Sequence, residues 1–132
     1  MREEILELTR NTKETQISMK LKIYGSGVAK IDTGIGFFDH MLEAFTKHSL
    51  LDLEISCKGD THVDFHHSVE DCGIVLGSAI KEAIYPAQNI ERFGDSVVVM
   101  DEAAVSAALD FSNRAFLVFD CPSLKRGKIG EF

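Results

Sequence analysis

Leu51-Asp52-Leu53-Glu54-Ile55-Ser56-Cys57 alternates apolar and polar residues without a break and stops at Lys58-Gly59-Asp60. That period of two belongs to a strand with one buried face. The next periodic segment runs at a different period. From about His66 to Ile84 a long helix is predicted, with Val69, Gly73, Leu76, Ile80 and Ile84 marking its buried stripe, and Pro86 prevents much continuation. Upstream, residues 15–24 also alternate, Gly25-Ser26-Gly27 has turn chemistry, and Val28 to Asp32 resumes the alternation, so a hairpin is expected there. Gly34-Ile35-Gly36 closes that strand. Phe37, Phe38, Met41, Leu42 and Phe45 then recur at helical spacing. Downstream of Arg92-Phe93-Gly94, Ser96 to Met100 reads as a strand. Ala104 to Asp110 and Ala115 to Asp120, flanking Ser112-Asn113-Arg114, read as a second hairpin.

Thr33-Gly34-Ile35-Gly36-Phe37-Phe38 and Gly127-Lys128-Ile129-Gly130-Glu131-Phe132 share Ile, Gly and Phe in register, and each follows a pair of expected strands. This points to an internal duplication. The first copy opens a helix, whereas the second copy coincides with the last residues given. The expectation is therefore a first half-domain over residues 1–88, followed over 89–132 by the opening strands of a second repeat, cut before its helices. On this reading the chain is a fragment.

With 132 residues, 45% hydrophobic and 27% charged, the chain has the bulk of one ordinary soluble domain. A formal charge of −7 argues against non-specific nucleic-acid binding and against anionic membrane surfaces. The acidic amino terminus has no apolar signal core. No apolar run approaches the roughly 18 residues of a membrane span. Cys57, Cys72 and Cys121 form no CxxC pair and read as free thiols of a reducing cytoplasm.

The chemistry concentrates in Gly36-Phe37-Phe38-Asp39-His40-Met41 and His66-His67-Ser68-Val69-Glu70-Asp71, which hold three of the five histidines. On a helix, His66 and Glu70 share a face at i and i+4, while His67 is turned away by about 100°. That assigns His66 and Glu70 to one ion and His67 to another, with His40 able to join either. Imidazole and carboxylate without thiolate favour manganese, iron or zinc over magnesium or copper(I). Asp39 could orient His40 or simply favour the helix start, and Asp71 could support the site or lie on the surface, the surface being preferred. His48 could serve the site or the helix's C-terminal end, and His62 is expected to be exposed. Glu14 has no evident packing purpose where it stands. Arg92 and Arg114, next to strand or turn boundaries, could grip a phosphate or face solvent. Neither a Walker loop, a GxGxxG nor a GxSxG is present.

Gly34 to Leu42 together with Gly59-Asp60-Thr61-His62-Val63-Asp64-Phe65-His66-His67-Ser68-Val69-Glu70-Asp71 resembles the imidazoleglycerol-phosphate dehydratases of histidine biosynthesis. Arg92-Phe93-Gly94, Met100-Asp101-Glu102-Ala103 and Asp110-Phe111-Ser112-Asn113-Arg114 match later family segments in order. The resemblance implies an α+β fold of two similar half-domains, each a four-stranded sheet with two helices on one face (ribosomal protein S5 domain 2-like), the second half truncated here. It implies two manganese ions per complete active site, one taking His40 and His67 and the other His66 and Glu70. Further ligands for each ion would come from the second half. Glu14 matches the family's acid/base glutamate, and Arg92 and Arg114 match arginines that contact the substrate phosphate. The substrate-contacting set implied is Glu14, His40, His48, His66, His67, Glu70, Arg92 and Arg114, supported by Asp39 and Asp71. Phe65 departs from the family's usual aspartate before the paired histidines.

The implied reaction removes water from imidazole glycerol phosphate to give imidazole acetol phosphate in the cytoplasm. This chain is expected to be inactive or nearly so alone. The alternative is a non-catalytic folding or assembly half-domain that self-associates. A nucleic-acid module is disfavoured by the charge.

Overall fold

The computed structural model describes residues 5–122, 127 and 132. Its elements are β1 (Leu6–Asn11), β2 (Thr15–Lys22), β3 (Ala29–Asp32), α1 (Gly36–Ser49), β4 (Asp52–Gly59), α2 (His66–Ile84), β5 (Phe93–Met100) and β6 (Ala103–Asp110). One compact unit runs to Gln88 and includes Phe132, and the other spans Asn89–Gly127.

The first unit holds a mixed four-stranded sheet in the order β1-β2-β4-β3, with α1 and α2 against one face, so the fold is α+β. Odd-numbered residues of the two central strands build the core: Ile17, Met19 and Leu21 of β2 meet Leu53, Ile55 and Cys57 of β4, under Leu42 of α1 and Cys72, Val75 and Ala79 of α2. The opposite sheet face is polar, and Lys20–Glu7 (3.3 Å) and Lys30–Glu54 (3.4 Å) pair across neighbouring strands.

The hairpin expected between residues 15–24 and 28–32 does not form. β2 pairs antiparallel with β4 (Thr15↔Gly59 to Lys22↔Asp52), and β3 runs parallel to β4 on its other side (Ala29↔Leu53 to Asp32↔Ser56). β4, whose Leu53, Ile55 and Cys57 are buried, thereby gains a neighbour on both edges, and the edges of the sheet fall to the shorter β1 and β3, of six and four residues. β1 is a strand that reading the amino terminus only as acidic overlooked. Leu6 and Leu8 alternate with Glu7 and Thr9, and Leu6 is buried.

The segment between β2 and β3 crosses the end of β4, where Asp52 Oδ1 accepts hydrogen bonds from the backbone N–H groups of Ser26 (2.8 Å) and Val28 (2.9 Å). Gly25 is required at this crossing, because a Cβ there would lie 2.4 Å from the Asp52 backbone nitrogen. Gly25→Ala is therefore expected to cost about 3 kcal/mol, the upper part of the range for an overpacked site, since backbone rather than a flexible side chain must yield. Chemical denaturation of the variant would measure this, and a loss below about 1 kcal/mol would contradict the crossing geometry.

Both helices fall where the apolar spacing predicts them, but their buried stripes differ from expectation. In α1 the buried residues are Leu42 and Thr46, while Met41 and Phe45 are exposed. In α2 they are Ser68, Asp71, Cys72, Val75, Ala79 and Ala83. Val69, Leu76, Ile80 and Ile84 are only half-buried and Gly73 is exposed. Small side chains let the helix backbone approach the sheet, so the larger residues become its flanks. The Phe132 ring stacks on Phe38 (6.2 Å between centroids, 25° between planes), the residue with which it stands in register in the hexapeptide comparison.

In the second unit β5 and β6 pair antiparallel from Phe93↔Asp110 to Met100↔Ala103. Their two-residue turn is Asp101-Glu102, with Asp101 at φ 50°, a left-handed conformation that suits a tight hairpin. The hairpin thus lies one strand earlier than expected, and residues 115–120 form no strand. Strand formation needs a ladder partner. β3, which follows β2 in the first unit, finds its partner in β4 beyond a helix. Residues 115–120 have none among the described residues, and Phe116 and Phe119 are exposed. Of the duplicated hexapeptide, residues 128–131 lie outside the described residues.

Candidate active site

The first turn of α2 carries the paired histidines at its open end, and two aspartates from the preceding loop hold them. Asp64 Oδ1 accepts from the His66 backbone N–H (3.0 Å), one of the helix's otherwise unpaired amides, and also bonds His66 Nδ1. Asp60 Oδ2 bonds His67 Nδ1 at 2.9 Å. A carboxylate is acceptor-only, so each imidazole bears its proton on Nδ1 and keeps Nε2 as the lone-pair nitrogen whenever it is neutral. His66 and Glu70 are both exposed, as expected for one open face, and His67 is half-buried. The full divergence of the two imidazoles is not realised, for their ring centroids lie 3.9 Å apart.

The turn between β1 and β2 comes to the same place. Thr12 Oγ1 accepts from the backbone N–H groups of Glu14 (3.1 Å) and Thr15 (2.9 Å), closing the turn on itself. The Glu14 carbonyl then accepts the Asp60 backbone N–H at 3.0 Å. Glu14 is exposed, and its charge adds to those of Asp60 and Asp64 in favouring His67 imidazolium. The His67 pKa is raised, chiefly by the Asp60 hydrogen bond, with burial opposing. The Asp64 carboxyl is held below the usual range by its bonds to His66.

Asp71 is buried, contrary to the preference for the surface. Thr15 Oγ1 donates to its Oδ2 at 2.5 Å and Arg10 Nε to its Oδ1 at 3.0 Å. It ties the residue after Glu14 to the helix residue after Glu70. The Thr15 hydroxyl and, after it, the Arg10 guanidinium hold the Asp71 carboxyl below its ordinary value, against burial. Asp71→Ala is expected to destabilise by about 2–3 kcal/mol, because it leaves a buried hydroxyl and a half-buried guanidinium without their acceptor. A depressed carboxyl stabilises the fold above its unfolded pKa of about 3.9 and loses that contribution as pH falls through its lower folded value. Thermal melts of both proteins should therefore differ at pH 7 and converge toward pH 2.

The other expected site residues are placed as follows. Asp39 Oδ1 accepts from the Thr33 N–H (2.9 Å) and hydroxyl (2.5 Å), bracing the entry to α1 rather than His40. His40 is exposed early in α1, and His48 is exposed in its last turn. His62 is exposed, as expected. In the second unit, Arg92 closes a fork on Asp110 (Nε–Oδ1 2.6 Å, Nη2–Oδ2 3.1 Å) and lies over the Phe93 ring. The charges of Arg92 and Arg114 both act on Asp110, whose carboxyl is lowered, first by the Arg92 bond. Asp60 and Asp64 stood outside the expected set. Their signal was present as carboxylates seven and two residues ahead of the histidines they hold.

Among the described residues no three His, Cys, Asp or Glu side chains form one metal-holding group. In both imidazoles Nδ1 is taken by a carboxylate, which leaves Nε2 as the nitrogen for a ligand, and Asp60 Oδ1 is buried with no hydrogen-bond partner. That residual negative charge behind an imidazole is what a cation on Nε2 would balance.

A histidine pair braced by carboxylates, with a further carboxylate on an adjoining turn of an α+β domain, is a set of groups able to carry acid–base chemistry. The sequence profile of imidazoleglycerol-phosphate dehydratase matches residues 33–132. The chain belongs to the imidazoleglycerol-phosphate dehydratase family. The dehydratase of Campylobacter concisus is 79% identical over the whole chain, which covers 67% of that relative, and that of Campylobacter curvus is 70% identical with the same coverage. For the Campylobacter hominis relative the covered share is 64%, so the chain spans about two thirds of the length of its relatives. The crystal structure of the Staphylococcus aureus dehydratase superposes with a TM-score of 0.83 at 35% identity, covering 98% of this chain and 70% of that one. IGPD of Pyrococcus furiosus gives 0.68 at 32% identity, with 88% and 64% covered. No helix among the described residues is long and apolar enough to cross a membrane.

Proposed function

We propose that this chain acts in the dehydration of imidazole glycerol phosphate to imidazole acetol phosphate, in the cytoplasm, as a step of histidine biosynthesis. The observation that carries this reading is the Glu14 turn hydrogen-bonded to the residue that holds His67. The turn carrying the exposed Glu14 carboxylate is thereby tied to the end of α2 that carries the two imidazoles. His40 with His67, and His66 with Glu70, would each hold one manganese ion, supplying Lewis-acid stabilisation of the charge that develops on the substrate ring. Glu14 takes the proton from the carbon chain and returns one to the departing hydroxyl. The Arg92 and Arg114 guanidinium groups bind the phosphate, Arg92 exchanging part of its hold on Asp110 for it. His48 belongs to the same substrate-contacting set, and Asp39 supports it by fixing the start of α1.

Two donors per ion fall short of the four or more that such metals take, so self-association or further polypeptide completes each site in this reading. The test is turnover of imidazole glycerol phosphate with manganese. It would be run on the chain alone and with the remaining third of the Campylobacter concisus dehydratase supplied in trans. Turnover in the second case, and little in the first, is the expected result. None in either would sink the reading.

The second reading, a non-catalytic assembly module, is favoured by the exposed apolar residues of 93–119, including Phe93, Val97, Val99, Phe116 and Phe119. Sedimentation would then show a stable oligomer without manganese, and a strict monomer would count against it.

A further inference from the structure

We propose that Asp60 is a positioning residue that sets the His67 imidazole relative to Glu14, by binding both from one backbone position. Its N–H donates to the Glu14 carbonyl at 3.0 Å, and its carboxylate holds His67 Nδ1 at 2.9 Å. Its carbonyl closes the following turn by accepting the Val63 N–H at 2.8 Å. One residue thus links the β1–β2 turn, the loop before α2 and the first turn of α2. The neighbouring pair works differently, since Asp64 braces His66 from two residues away, both of its hydrogen bonds among the described residues going to that residue. Only the Asp60 bracket spans separate elements, so only there does the ring position report the position of Glu14.

The bracket also has little freedom to shift. The Asp60 side chain is 16% exposed and its second oxygen is buried. Just before it, a Cβ on Gly59 would lie 1.9 Å from the buried Ser68 hydroxyl oxygen, so the chain passes tightly under α2. The chemical consequence is tautomeric. Bonded to Asp60, neutral His67 keeps its proton on Nδ1 and its lone pair on Nε2. Released, it reverts to the Nε2–H form that a free histidine side chain prefers, and its outward nitrogen becomes a donor unable to ligate.

For its effect on turnover the inference rests on the dehydratase reading, but the ring itself can be observed without metal or substrate. Nitrogen-15 spectra of the histidine rings at a pH where they are neutral, with His67 assigned from a His67→Gln variant, read the tautomer in the metal-free chain. The wild type is expected to carry the His67 proton on Nδ1, Asp60→Ala to move it to Nε2, and Asp64→Ala to leave it in place. Manganese affinity in Asp60→Ala should fall by about 10–100-fold, as for other groups that orient metal ligands. In the complemented enzyme kcat should fall with it while KM holds.

A wild-type proton on Nε2, or an unchanged His67 tautomer in Asp60→Ala, overturns the proposal. Should Asp60→Ala not fold, the wild-type spectrum still decides. Asp60→Asn then adds a second check, because it keeps an acceptor without the charge. It is expected to keep the His67 proton on Nδ1, and a proton on Nε2 there overturns the proposal. If the tautomer responds as expected while the complemented wild type shows no turnover, the dehydratase reading fails and the hold of Asp60 on His67 stands.

Discussion

His67→Ala is expected to abolish manganese-dependent turnover and to weaken metal binding by more than the roughly 10–100-fold that loss of a ligand-orienting group costs. The residue is the better supported of the two adjacent imidazoles, half-buried and bonded through Nδ1 to a carboxylate with a buried second oxygen. Removing the ring takes away an Nε2 donor and leaves Asp60 facing an empty space with its charge unbalanced. The proposed partner donor, His40, cannot compensate, since it would then hold its ion alone. Calorimetric titration with manganese separates the two effects from folding, provided the variant's melt is cooperative. Wild-type affinity in His67→Ala would remove this residue from the metal site.

Glu14→Gln should lower kcat by roughly 10²–10⁴-fold, the usual worth of a positioned general acid–base group, with manganese affinity and KM close to wild type. The expectation follows from placement. The Glu14 backbone is fixed at both its N–H and its carbonyl, while its side chain is exposed. A fixed base with a free carboxylate is suited to proton transfer and has little structural work to lose, so the amide should fold as well as the acid. A fall in stability matching the fall in rate would instead mean that Glu14 is part of the scaffold.

Much of this was readable along the chain. The unbroken alternation of Leu51 to Cys57 became β4 to within one or two residues, and the apolar spacing after His66 became α2 with its end at Ile84. The two histidine motifs were legible because spacing on a helix is a local property. His66 and Glu70, four residues apart on α2, are both exposed. The misreadings share a cause. Gly25-Ser26-Gly27 looks like a hairpin turn because turn chemistry records only that the chain bends, not which edge the next strand joins. Asp71 looked like one more surface carboxylate because Thr15 and Arg10, its partners, come from other elements. Residues 115–120 have strand composition without a ladder, and composition carries no information about the partner.

The division between the two levels is therefore one of range. Period, capping and side-chain chemistry act over a few residues, and they were enough to locate the helices, the central strand and the two histidine motifs. Sheet order, the depth of Asp71 and the bracket of Asp60 between Glu14 and His67 depend on hydrogen bonds that join distant segments. Such bonds are chosen by the burial of the whole sheet under its helices. Apolar alternation in β2 and β4 required a buried face. The bonds of Asp60 to Glu14 and His67, and of Asp71 to Thr15, join the Glu14 turn to the histidine end of α2.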